Sequence, residues 1–258
     1  MDTTLNQLLA QYAAGERNFS GLDLRNITIR RGNLAHINLA EANLSGACLR
    51  GVNLHSANLS NANLSNANLN RAILSHAILN GADLTNADLT EANLWNADMS
   101  RLNLMNTDLR WANLRSAILD GAILSGDLSE ANLTNASLKG AILAAANLRA
   151  ANLTGAHMDG ANLWGATLWG AKLRGAYLAS ADLGGTYLRD ADLSGANMRG
   201  AKLVGANLTQ VSLWGTDLRG ATLLNARVSD QDLMGADLTG AIMPDGRVYS
   251  PYNTLGQR

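Results

Sequence analysis

The segment Ala57-Asn58-Leu59-Ser60-Asn61 runs directly into Ala62-Asn63-Leu64-Ser65-Asn66 and Ala67-Asn68-Leu69-Asn70-Arg71. The same unit continues outward in both directions. With the central leucine as position i, it falls every five residues from Phe19 to Leu124, 22 times, and from Leu128 to Met243, another 24 times. Of these 46 positions 39 are Leu; i−2 is Ala in 33 and i−1 is Asn or Asp in 28. A period of five suits neither regular element. In a helix, successive leucines precess by about 140° and form no stripe. In a continuous strand, an odd period sends alternate leucines to opposite faces. Positions i and i−2 both point inward only where the chain turns a corner once per repeat. Asn, Asp and Gly crowd the segments between leucines and tolerate turn conformations best. The period therefore predicts a β-solenoid with a continuous Leu/Ala column inside.

The composition follows from this plan. Leu (46) and Ala (42) make up about a third of the 258 residues, and aromatic residues only 4%. With 20 basic and 21 acidic residues the chain carries a net charge of −1, which argues against a basic nucleic-acid binder. One cysteine excludes a disulfide framework. No run approaches the roughly 18 apolar residues of a membrane span. The Met1-Asp2 start has no basic or apolar leader, so a cytoplasmic location is expected.

The A(N/D)LXX pattern, as in Ala82-Asp83-Leu84-Thr85-Asn86, resembles the pentapeptide-repeat proteins across about residues 17–243. The resemblance implies an all-β fold: a right-handed quadrilateral parallel β-helix, four repeats per coil, of about 11–12 coils. The ends Gly15 to Phe19 and Gly240 to Gly246 are similar to cyanobacterial members, one of which regulates heterocyst differentiation.

Three segments follow. Residues 1–16 hold a short amphipathic helix with Leu5, Leu8, Leu9 and Tyr12 on one face, expected to cap the first coil. Residues 17–243 are the repeat, with one register slip at 125–128, where Leu124 and Leu128 are four residues apart. Residues 244–258 form a tail whose Val248, Tyr249, Tyr252 and Leu255 either cover the last coil or meet a second copy end to end. A monomer or a dimer through the C-terminal coil is expected.

If four repeats make a coil, residue n lies beside n+20. Trp169 then sits between Arg149 and Arg189 as a cation–π sandwich, and Trp95 beside Arg115. Lys172 falls opposite Asp192, Asp182 opposite Lys202, and Arg71 opposite Glu91 and Trp111. The candidate partner surface is Arg149, Trp164, Trp169, Tyr177, Tyr187 and Arg189, aromatic and arginine chemistry typical of binding hot spots. A second candidate patch is Ile78, Ile118, Ile123 and Ile142 at outward i−1 positions.

Catalytic chemistry is missing from the sequence. The offset aligns none of His36, His55, His76 and His157 with another His or with Cys48, so no metal cluster is expected. The inward polar residues Thr107, Thr186 and Thr216 read as satisfied by backbone, and Gln231 as marking a looser coil. Neither an enzyme nor a cofactor is expected. The leading expectation is a protein–protein interaction or regulatory module acting on an unidentified protein partner, without direct contact to nucleic acid or membrane. The resemblance also raises a DNA-mimicking, topoisomerase-binding role, which needs a strongly negative surface, and a structural spacer.

Overall fold

The computed structural model describes residues 3–250, in two compact units, Met1–Asn132 and Leu133–Arg258. The regular helix among the described residues is α1, Thr3–Ala13. The rest is built from isolated parallel bridges between residues 20 apart, such as Asn38↔Asn58 and Asn162↔Asp182. Four bridge columns therefore run through each unit.

One repeat explains the whole pattern, because each of its five backbone N–H groups finds a partner. Asn63 N–H donates back to the Ala42 carbonyl at 2.9 Å, and Leu64 N–H forward to the Asp83 carbonyl at 2.7 Å. Asn66 N–H reaches Thr85 in the next coil at 2.9 Å, and Ala67 N–H closes the corner onto the Leu64 carbonyl at 3.0 Å. The remaining donor, Ser65 N–H, is taken by Oδ1 of Asn63 at 3.0 Å. Asn or Asp at i−1 is thus an Asx cap of the corner as well as the bridge residue. Leu at i and Ala at i−2 fill the interior, almost all of them without solvent contact. A buried leucine contributes about 1.5–3 kcal/mol.

In unit 1, Leu8 of α1 is 1% exposed and the Tyr12 hydroxyl donates to the Ala35 carbonyl at 2.9 Å. Leu5 is half-buried, whereas Leu9 is 38% exposed and faces outward. At the register slip the bridges shorten to Asp108↔Asp127 and Asn113↔Asn132. The corner residue at i+2 has a left-handed φ every five residues from Gly21 to Gly121 and again from Glu130. Gly126 does not, and a Cβ there would strike the Thr107 carbonyl oxygen. The deleted residue is absorbed by a corner that only glycine can line.

In unit 2 the bridges continue to Thr222↔Ile242, with a gap where Ser212 would meet Asp232. There the chain bulges as turns over 230–235, capped by Ser229 N–H to Asp232 Oδ2 at 3.0 Å. Gln231 is exposed in this bulge and does not enter the interior. The tail folds back as an antiparallel pair, Ile242↔Val248, with Tyr249 N–H donating to the Ala241 carbonyl at 2.7 Å. Tyr252 and Leu255 lie outside the described residues.

Candidate functional site

The aromatic surface of unit 2 resolves into separate parts. Asn147, Thr167, Tyr187 and Asn207 share one bridge column. Arg149, Trp169 and Arg189 each stand two residues further along, at the adjoining corner. Between column and corner lies a groove of about 300 Å³, lined by Thr167, Trp169, Tyr187, Arg189 and Asn207. Asx caps hold its ends: Arg149 N–H donates to Asn147 at 3.2 Å and Thr209 N–H to Asn207 at 3.2 Å. In the two middle coils Thr167 and Tyr187 replace the capping residue, so the repeat gives up its own hydrogen bond where the groove opens.

One half of the expected sandwich forms. The Arg149 guanidinium lies 4.8 Å from the centre of the Trp169 ring. Arg189 turns away, because acceptors stand at the next position along the corner. Its Nε is 3.4 Å from Asp190 Oδ2 and its Nη2 donates to Gln210 at 3.1 Å. Asp190 also accepts from the Trp169 indole N–H at 2.8 Å, which fixes the ring. Asp190 and Gln210 were not readable from a twenty-residue offset, since both contacts span 21 residues.

Trp164 sits at the preceding corner, its ring over Gly184, where a Cβ would come within 2.9 Å of it. Tyr177 is not part of the groove. It belongs to another column, His157↔Tyr177↔Asn197, two columns from Tyr187, and stacks on His157 at 4.4 Å and 3°. Residues ten apart are half a coil apart, so the six residues do not form one cluster. Trp214, 70% exposed, lies over Gly235 in unit 2 and joins none of the expected groups.

The expected patch isoleucines of unit 1 stand in two columns. In unit 1, Ile78 and Ile118 share a column, but Asp98 is bridged between them. Ile123 stands in the Asp83↔Asn103 column, and Ile142 belongs to unit 2. Within unit 1 the described isoleucines Ile78, Ile118 and Ile123 form no continuous apolar stripe.

The histidines correct a second expectation. His36 and His55 pack edge to face with centroids 5.5 Å apart, His55 and His76 likewise at 5.5 Å, and His76 meets Trp95 at 4.7 Å. A corner has two outward residues, so side chains 19 or 21 residues apart touch diagonally. For the same reason Trp95, which the Asn93↔Asn113 bridge sets one coil from Arg115 as expected, makes its ring contact with His76. Nδ1 of His55 bonds Ser75 at 2.9 Å, and Asn96 Nδ2 donates to Nδ1 of His76 at 3.1 Å. Among the described residues no group of three or more His, Cys, Asp or Glu is arranged to hold a metal.

Other columns behave as their charges require. Arg71 grips Glu91 with two hydrogen bonds of 2.8 and 2.9 Å, holding the Glu91 carboxyl below its usual range. Trp111, next in that column, takes the Arg110 guanidinium at 5.3 Å. The bridges put Lys172 beside Asp192 and Asp182 beside Lys202, without an ion pair between them. The inward threonines do donate to backbone: Thr107 to Leu84 at 3.0 Å, Thr186 to Leu183 at 2.7 Å and Thr216 to Leu193 at 2.8 Å.

Stacked twenty-residue coils with a filled interior and a carved exterior define a parallel β-solenoid that presents side chains. The sequence matches the family described as pentapeptide repeats, in segments 18–55, 53–90, 87–126, 127–165, 171–210 and 201–240. The chain belongs to the pentapeptide-repeat family. Among solved structures it is similar to HetL, a pentapeptide repeat protein involved in heterocyst differentiation regulation from the cyanobacterium Nostoc sp. strain PCC 7120. The two share 37% identity over 95% of this chain and 98% of HetL, with a TM-score of 0.59. QnrB1, a plasmid-mediated fluoroquinolone resistance protein, matches at 18% identity over 92% of this chain and 94% of its own, with a TM-score of 0.41. Among curated sequences none matches the chain. Membership of the family and the likeness to HetL imply a right-handed β-helix. Among the described residues no helix is long and apolar enough to cross a membrane.

Proposed function

We propose that the chain is a non-catalytic interaction and regulatory module, a four-sided helix of about 11–12 coils in the cytoplasm that binds another protein. The observation that carries this reading is the groove of Trp169, Tyr187 and Arg189, with Arg149 stacked behind the indole. Two rings and two guanidiniums on a rigid ladder recognise an aromatic or proline side chain beside a carboxylate. Preordered by Asp190, the indole loses little freedom on binding. The likeness to HetL, whose description is regulatory, favours the same kind of role here. A DNA-mimicking role is disfavoured by the balance of 20 basic and 21 acidic residues.

The test is affinity for the partner recovered by crosslinking in the native cell. Trp169→Ala is expected to weaken it by about 2 kcal/mol or more, as hot-spot truncations do, while Tyr177→Ala leaves it unchanged. Equal effects from both variants would count against the assignment.

A further inference from the structure

A second feature of unit 1 stands apart from the aromatic groove. The repeat has its own device for neutralising an arginine at i+1, an Asp at i−1. It forms Arg25–Asp23 at 2.6 Å and Arg110–Asp108 at 2.5 Å in unit 1, and Arg219–Asp217 at 2.6 Å in unit 2. At two successive coils the device is missing. Arg30 and Arg50 occupy the same place one coil apart, and their i−1 residues are Thr28 and Cys48, bridged to each other. Arg31 stands beside them, its N–H donating to the Arg50 carbonyl at 3.0 Å. Its side chain runs along the column over Gly51, where a Cβ would come within 3.3 Å of Arg31 Cγ.

The three exposed side chains border a concavity of about 370 Å³. Among the described residues none of their guanidiniums has an ion pair or hydrogen bond. The next acid along this column, Glu91, is hydrogen-bonded to Arg71, and Arg50 feels its charge without a direct contact. Like charges directly opposite on a ladder are destabilising, so this corner carries a cost that an anion would remove. Planar guanidinium forks match the oxygens of a phosphoryl group, each with two parallel donors.

We infer that Arg30, Arg31 and Arg50 form a binding site for a dianionic phosphoryl group, carried by a small phosphate ester or by a phosphorylated side chain. The volume accommodates the phosphoryl group and the first atoms of its ester.

The experiment is calorimetric titration of the full chain at low ionic strength with glycerol phosphate and with a short phosphoserine peptide. Saturable binding at one site is expected. Arg30→Gln/Arg50→Gln should weaken it at least about tenfold, the value of one lost charge-assisted donor. Arg110→Gln/Arg219→Gln, which removes the same charge elsewhere, should leave it within about twofold. Arg50→Lys, which keeps the charge and the fold but loses the fork, should show an intermediate loss. The melting transition of the Arg30/Arg50 variant should stand at or above that of the parent, because a like-charge contact is gone. Tighter binding of the peptide assigns the site to phosphorylated side chains, and tighter binding of glycerol phosphate to free esters. Non-saturating heats, or equal weakening by both double variants, would overturn the site.

Discussion

The two units are filled by the same kind of interior, and they differ at their corners. In unit 1, from 21 to 130, five left-handed corner residues are glycine and seventeen are not; in unit 2, from 135 to 240, fourteen are glycine and seven are not. A side chain in this conformation costs about 1–2 kcal/mol, least for Asn. Unit 1 accepts the cost and gains functional groups at its corners, among them Arg31, His36, Arg71, His76, Glu91 and Trp111. Unit 2 removes side chains there, and at Gly235 the ring of Trp214 from the coil before lies over the space. The same five-residue unit thus builds side-chain-dense corners in one half and corners largely stripped of side chains in the other.

The comparison is tested first where the units should be equal. Leu74 and Leu173 are both fully buried. Each Leu→Ala change should cost about 2–5 kcal/mol in urea unfolding, and a clear inequality would mean the interiors differ. Next in size is the slip in unit 1. Gly126→Ala pushes a methyl onto the Thr107 carbonyl and should cost about 1–3 kcal/mol. Gly160→Ala in unit 2, with open space around its Cβ, should cost about 1 kcal/mol from backbone strain alone.

Reversing the corner chemistry gives a smaller effect. Ala150, at φ 55°, and Ala145, at φ 58°, hold a left-handed conformation with a methyl side chain that can make no hydrogen bond to offset the strain. Ala150→Gly should raise stability by about 0.5–1 kcal/mol, the strain relieved less the added freedom of the unfolded chain. The smallest effect belongs to the Arg71–Glu91 pair, both exposed. The Arg71 hydrogen bonds lower the Glu91 pKa in the folded chain. Its contribution is therefore present above the unfolded carboxylate pKa and is lost as pH falls through the lower folded value. The difference in melting temperature between parent and Glu91→Gln should shrink as pH drops below the carboxylate range, and also in high salt.

How far the sequence could be read depends on which contacts its period controls. The inward positions are controlled strictly, so Leu59, Ala62 and Leu64 announce the interior. The Asx caps were half-visible: Asn and Asp were read as turn formers, while the bond from Asn63 to Ser65 N–H shows why they sit at i−1, with the left-handed residue at i+2. Surface contacts escaped wherever they run diagonally. His36, His55 and His76 touch at offsets of 19 and 21, and Trp169 reaches Asp190 rather than forming a full sandwich with Arg189. Tyr177 and Tyr187 looked adjacent because they are close in number, yet ten residues carry the chain half a coil around.

The most direct measurement places a photo-crosslinking residue at position 187 of the full chain in its native cell, and separately at position 197 in the Tyr177 column. The expected result is one saturable protein adduct from position 187, lost when Arg149→Ala and Trp169→Ala are combined, and none from position 197. Equal adducts from both positions, or an adduct at 187 that survives the double substitution, would contradict the account.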